Sequence, residues 1–276
     1  MLKLGVVTAY HNEVETIGQV VKVIAATKTP FLFFLVDDCS TKPPHAVLEE
    51  YGDEPWFHYL RNEDNLGPVG SLNRGIKAAL AEGVDLVAIN DADDISYPNR
   101  FSDQLSAFTA DPDLMIVGGG ADMADHDTGR ILWRCHHPSD DASIRRRNTI
   151  NSTFVHSTVV YRRAVFEKVG FYDASQYALD YDMITRVLAA GCKAANVPSL
   201  VLRYNIRAGS MSLSRRRAQL ASRLSVQLKH FNPLNWRSYW GITRSTLAFL
   251  VPRDSVNRMK MLLFRLRAPS LSRKSL

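Results

Sequence analysis

Asp91-Ala92-Asp93-Asp94 closes an apolar run with three carboxylates. Two aspartates one residue apart at a strand end point to the same side and can hold a hard divalent cation through oxygen ligands. Mg2+ or Mn2+ held by one or two carboxylates keeps positions open for water or for substrate phosphates. The bland reading is a polar turn after a buried strand. Val36-Asp37-Asp38-Cys39-Ser40 follows another apolar run. An ionised Asp there could accept the N–H of a nucleobase, or Asp38 or Ser40 could cap the next helix. Leu179-Asp180-Tyr181-Asp182 opens a helical pattern. Asp at such a place is a helix cap, or a general base that takes a proton from a sugar hydroxyl. Between these clusters, residues 65–75 (NLGPVGSLNRG) hold three glycines that permit close backbone approach to a phosphate or ribose. The run is not GxGxxG and has no matching acidic residue, which argues against a dinucleotide.

These side chains need a scaffold that delivers strand ends to one place. Residues 3–9, 31–38, 57–61, 84–89 and 114–117 read as strands, the last stopping before Gly118-Gly119-Gly120. Helical patterns separate them at 15–26, 43–50, 72–81 and 98–109. Strands apolar throughout fit a sheet covered on both faces, and the alternation implies βαβ units and a mostly parallel sheet. Ligands of such sheets bind beyond the carboxyl ends of the strands, where the sequence puts Thr8, Tyr10, Asp38, Asp91 and Asp93. After residue 120 the alternation weakens. A strand is expected at 151–162, a short helix at 163–169, a helix at 180–190, a strand at 196–204 and a basic helix at 213–230.

Of the 276 residues 46% are hydrophobic and 22% charged, which excludes wholesale disorder. No apolar run approaches the ~20 residues of a membrane-spanning helix, and the first residues lack the apolar core and cleavage site of a secretory signal. Three widely spaced cysteines, Cys39, Cys135 and Cys192, exclude a disulfide framework or a cysteine zinc site and make a reducing cytoplasm the expected compartment. The net charge of +6 is unevenly divided. Residues 1–201 carry 18 Lys and Arg against 27 Asp and Glu, and residues 202–276 carry 16 against one. The acidic body suits cations or catalytic carboxylates, and the basic tail suits phosphates. Residues 259–266 (MKMLLFRL) interleave basic and apolar side chains as interfacial helices do; the alternative is a helical cap with solvated arginines. No RRM, KH, zinc-finger or helix-turn-helix signature is visible, so an anionic membrane surface rather than nucleic acid is the expected partner. That places the protein peripherally on the inner face of the cell membrane.

In this order and spacing, the clusters resemble the inverting family 2 glycosyltransferases of the GT-A fold over residues 3–213. V-T-A-Y-H-N-E (7–13) resembles the family's first-strand motif, V-D-D-C-S its V-D-D-G-S, and the segment 65–75 its glycine-bearing N-x-G run. D-A-D-D-I-S-Y-P-N-R-F (91–101) resembles its D-x-D-D followed by Pro and Arg. V-H-S-T-V-V-Y-R-R (155–163) is similar to its acceptor-side segment, and L-D-Y-D-M (179–183) stands where the family has E-D-Y-D-L.

The resemblance implies an α/β GT-A domain over 1–212, with a Rossmann-like nucleotide-sugar-binding half (1–120) and an acceptor and catalytic-base half (121–212). Residues 213–276 would form a basic helical extension. Thr8, Tyr10, Glu13, Asp38, Asn73 and Asp91 would bind a nucleotide-diphosphate sugar, UDP favoured, and Asp93 would be the protein ligand of Mg2+ or Mn2+. Asp180 would be the base, with His156 and Asp182 on the acceptor side. Leu179 replaces an acidic residue of the family, so Asp182 is the fallback base. Arg207 stands where many members carry His and is a candidate for binding diphosphate directly. The implied acceptor is a saccharide or lipid-linked saccharide in bacterial surface polysaccharide or glycolipid assembly. Two rivals remain at this level. A metal-dependent nucleotidyltransferase would carry a glycine- and lysine-rich phosphate loop, which residues 6–15 lack. A catalytically silent binding module of the same fold would have no use for Asp91, Asp93 and Asp180 together.

Overall fold

Successive residues of the first strands face opposite sides of one sheet. In β1 (Leu4–Tyr10) Val6 and Val7 enter different cores, and Phe33 and Phe34 of β2 (Phe31–Asp37) divide the same way. On one side α1 (Val14–Ala25) contributes Ile17, Val20, Val21 and Ile24, joined by Phe101 and Phe108 of α4 (Arg100–Ala110). On the other side α3 (Gly67–Ala81) contributes Leu72, Ile76 and Ala79, and α7 (Leu179–Ala189) contributes Met183, Ile184 and Val187. Each fully buried Val, Leu, Ile, Phe or Met among these contributes about 1.5–3 kcal/mol by leaving water. Both faces are therefore covered, as continuous apolar strands require.

A computed structural model describes residues 2–207 and 215–250. β3 (Phe57–Arg61), β2, β1 and β4 (Leu86–Ile89) run parallel in that spatial order. Beyond β4 the sheet is mixed. β8 (Val160–Arg162) lies antiparallel between β4 and β6 (Leu114–Asp125). β9 (Lys193–Ile206) runs parallel to β6, and β5 (Ile95–Ser96) pairs antiparallel with β9 at the edge. β7 (Ile131–Cys135) folds back on β6. α2 (His45–Tyr51) and α6 (Ala164–Val169) complete the flanks.

The second half departs from the sequence expectation in several places. β6 does not stop at 117 but runs through the glycine triplet to Asp125. Glycine is required there by close packing: a Cβ at 118 would meet Phe154 at 2.5 Å, and one at 119 would meet Val201 at 2.6 Å. The expected strand at 151–162 shrinks to β8, because residues 156–158 form a 3-10 turn. β7 was unexpected, as was α5 (Asp141–Asn148), whose N-cap Asp140 accepts from the Ser143 amide at 2.9 Å.

Two basic helices follow. α8 (Arg216–Lys229) packs beside α7, where Ala178, Tyr181 and Val226 form a small core. α9 (Trp236–Leu250) buries Ser238, Gly241 and Ser245. The expected boundary at 212, and the segment 259–266, fall outside the described residues.

Candidate active site

Strand direction gathers most of the candidate side chains on one rim. β1, β2 and β4 are parallel, so Tyr10, Asp38 and Asp91 follow carboxyl ends on the same edge. β8 is antiparallel to β4, which brings the turn before it, with His156, to that edge. β9 is parallel to β6, itself antiparallel to β8, so its far end returns there with Tyr204 and Arg207. Together with Asp180 in the first turn of α7, these residues line one cleft of about 960 Å³.

The two aspartates at the end of β2 have different surroundings. Asp37 is fully buried. Its Oδ1 accepts from the Ser40 amide at 2.8 Å, and its Oδ2 from Tyr59 Oη at 2.7 Å and Arg61 at 3.2 Å. Burial opposes ionisation, yet the Ser40 and Tyr59 hydrogen bonds hold the carboxyl below its ordinary value. Asp38 is a wall of the cleft, its Oδ1 fixed by Asn62 Nδ2 at 2.8 Å and the Leu66 amide at 2.7 Å. Neither Asp38 nor Ser40 caps α2, whose N-cap is Pro44.

The loop after β4 is set from behind by Arg100, a fully buried arginine. Its guanidinium donates to Asn90 Oδ1 at 2.7 Å, Ser96 Oγ at 2.8 Å and the Ile89 carbonyl at 2.7 Å. Asp94 is buried beneath the loop, its Oδ1 accepting from the Asn205 amide of β9 at 2.9 Å. Asp91 and Asp93 are left at the cleft. Burial, then the charges of Asp91 and Glu13, push the Asp93 carboxyl up to about 7, against the pull of Arg207. Arg207 itself pairs with Glu13 at 3.1 Å.

His156 Nδ1 is 3.4 Å from Asp91 Oδ1 and Nε2 is 3.2 Å from Tyr172 Oη. Burial opposes protonation of this imidazole, but Asp91 and then Asp180 raise its pKa above the ordinary value. Asp180 also lines a small cavity beside the cleft, together with Asn148, Ser152 and Tyr161. It is not the cap of α7, since Ala178 holds that position.

The model of glycosyl transferase family 2 matches residues 5–170. The chain belongs to this family. The glycosyltransferase is 29% identical to the amylovoran biosynthesis glycosyltransferase AmsE of Erwinia amylovora over 189 residues, 68% of each chain. It is 27% identical to the UDP-Gal:alpha-D-GlcNAc-diphosphoundecaprenol beta-1,3-galactosyltransferase of Escherichia coli, over 67% of this chain and 68% of that one. Among solved structures it superposes on S. aureus TarS 1-349 in complex with UDP-GlcNAc, with a TM-score of 0.67, 17% identity, and coverage of 98% and 77%. It spans 40% of the longer TarS chain. The mannosyltransferase PcManGT from Pyrobaculum calidifontis, in complex with GDP-Man and Mn2+, gives 0.65 at 14% identity, with coverage of 96% and 81%. The fold is GT-A, as expected.

In this glycosyltransferase Tyr10, Glu13, Asp38, Asp91, Asp93, His156, Asp180 and Arg207 share the cleft. Three expected residues do not line it. Thr8 is fully buried inside β1. Asn73 spends both ends of its amide on the Tyr172 backbone, donating at 2.8 Å and accepting at 3.1 Å, which ties α3 to the segment after α6. Asp182 is buried against Arg186 at 2.8 Å, an ion pair that it would have to give up to act as the fallback base. The glycine run also divides: Gly67 lines the cleft with φ +72°, whereas Gly75 lets α3 close on Val7 and Val36 of the sheet. Sequence reading missed Arg100 as a positioning residue, and it missed Arg216, Gln219, Leu220 and Arg223 of α8 as a wall of the cleft. Their spacing of three, four and seven, the mark of one helix face, was the available signal.

Proposed function

We propose that this glycosyltransferase moves a sugar from a UDP-sugar to an acceptor hydroxyl with inversion, in bacterial surface polysaccharide or glycolipid assembly. The observation that carries this reading is the sharing of one cleft by Asp38, the Asp91/Asp93 pair and Asp180. Asp38, with Oδ1 anchored, suits a nucleobase N–H. Arg207 suits the donor diphosphate as a cationic fork. The Asp180 carboxylate takes the acceptor proton while the acceptor oxygen bonds the anomeric carbon. The bond from that carbon to the diphosphate oxygen breaks, and the nucleoside diphosphate leaves with the electron pair.

The residues fit Mg2+ or Mn2+. Asp91, Asp93 and Glu13 offer hard oxygens; burial, then the charges of Asp91 and Glu13, raise the Asp93 carboxyl, and a bound cation would favour its ionised form. Among the described residues no three His, Cys, Asp or Glu side chains form a ready-made metal site. Asp93 would be the protein ligand in this reading, leaving positions for donor phosphates and water. When bound, the ion supplies Lewis-acid stabilisation of the leaving diphosphate. The names of the relatives support a UDP donor and a polysaccharide setting.

The test of inversion needs no acceptor. Slow hydrolysis of an α-linked UDP-sugar, followed by NMR before mutarotation, should release the β-anomer first. Release of the α-anomer would contradict the proposed geometry.

We place the enzyme peripherally on an anionic bilayer. No helix among the described residues is long and apolar enough to cross a membrane. α9, however, turns small residues inward and leaves Trp236 63%, Trp240 50% and Leu250 67% exposed. Aromatic and aliphatic side chains beside Arg237 and Arg244, in a segment with 16 basic residues against one acid, complement an anionic interface. The full chain should co-sediment with phosphatidylglycerol vesicles and not with phosphatidylcholine vesicles, and Trp236→Ser with Trp240→Ser should weaken this. Equal recovery with both lipids would overturn the placement.

A further inference from the structure

α8 supplies one wall of the cleft. Arg216, Gln219, Leu220 and Arg223 face the cleft along one side of the helix. Arg223 is held rigidly, with Nη1 2.6 Å from Asn151 Oδ1, Nη2 3.2 Å from Ser152 Oγ, and its guanidinium 5.1 Å from the Tyr181 ring centre. All three partners are neutral, so none of them offsets its charge. Two further arginines stand near it. Arg244 donates to the Ile150 carbonyl at 3.5 Å, and burial followed by the charges of Arg223 and Arg147 lowers its pKa. Of these three, Arg223 lines the cleft, and there its neutral partners leave its charge available to a bound anion.

The position of Arg223 defines its ligand. Ser152, which receives a hydrogen bond from Arg223, lines the small cavity that Asp180 also lines. The donor diphosphate has its own cation in Arg207, beside Glu13 and Asp93. We infer that Arg223, with Arg216 and Gln219, binds a phosphate or diphosphate carried by the acceptor next to the hydroxyl that is glycosylated. The inference rests on the proposed role of Asp180 at the acceptor end. A phosphoryl group gripped by arginine fixes the acceptor's register, and orientation of that kind lowers a barrier that affinity alone does not. The same chemistry is offered by a polyprenyl-type diphosphate-linked sugar or by a phosphodiester polymer.

The test loads the protein with UDP and excess Mg2+, then titrates geranyl diphosphate or the diester glycerophosphoglycerol calorimetrically. Failure of UDP itself to bind would count against the glycosyltransfer reading rather than against this one. With UDP bound, saturable binding of either probe is expected; preference for the first identifies a lipid diphosphate, and preference for the second a phosphodiester. Arg223→Gln should weaken the preferred probe at least tenfold while leaving UDP affinity unchanged. Because Arg223 also braces Asn151 and Ser152, Gln219→Glu provides a second variant that keeps the brace and sets a like charge beside the phosphate; it should weaken the probe too. Binding of neither probe to the UDP-loaded protein, or equal binding in both variants, would overturn the inference.

Discussion

His156 Nδ1 lies 3.4 Å from Asp91 Oδ1 and joins the turn before β8 to the loop after β4. The contact links two chain segments 65 positions apart and sets Asp91 in the cleft, with Tyr172 Oη holding the far side of the ring at 3.2 Å. His156→Ala should therefore misplace Asp91 and lower kcat/KM on the order of 10²-fold. The fold should survive, as the melting temperature will report.

Asp180 is expected to act only in transfer. Asp180→Ala should bind UDP-sugar as the parent does and lose turnover by roughly 10²–10⁴-fold. Normal turnover would remove the base assignment. Asp182→Asn should instead cost stability, because the Arg186 guanidinium loses its buried carboxylate partner at 2.8 Å.

Much of this site is legible in the chain itself, because strand ends in a parallel sheet share an edge. Asp38, Asp91 and Asp93 each follow an apolar run, and direction alone brings them together. The second half was harder to read for a physical reason. β6 continues through three glycines, residues of poor strand propensity, because Phe154 and Val201 leave no room for a Cβ. Thr8 and Asn73 carry polar atoms at motif positions but face inward, and a motif does not reveal orientation. The wall of α8 was written in its helical periodicity, yet its charge read as belonging to a tail. Only tertiary packing against α7 turns that face to the cleft.

Arg100 positions the carboxylate loop from behind, and its pKa is pushed down to about 9 by burial while Asp94 and Asp91 support its charge. Arg100→Leu leaves Asn90 Oδ1, Ser96 and the Ile89 carbonyl short of a donor. A loss of about 1–3 kcal/mol is expected in urea unfolding, from buried acceptors left without their donor. Activity should fall even where the variant remains folded.

Asp37 makes an acid-stability prediction. Its folded pKa is depressed, so the unfolded state binds the proton more readily. Its contribution is present above the ordinary carboxylate value near pH 4 and is lost as pH falls through the folded value. Asp37→Asn should flatten that part of the stability profile and lower stability at neutral pH by about 1–3 kcal/mol. An unchanged acid limb would show that Ser40, Tyr59 and Arg61 do not hold the carboxylate.

The most direct test of the account is calorimetric titration of UDP, dTDP and GDP into the parent enzyme and Asp93→Ala, with and without Mn2+. The expected result is nucleotide binding that Mn2+ tightens at least tenfold in the parent and leaves unchanged in Asp93→Ala. Absence of binding by all three nucleotides with Mn2+ present, or an undiminished Mn2+ effect in Asp93→Ala, would contradict it.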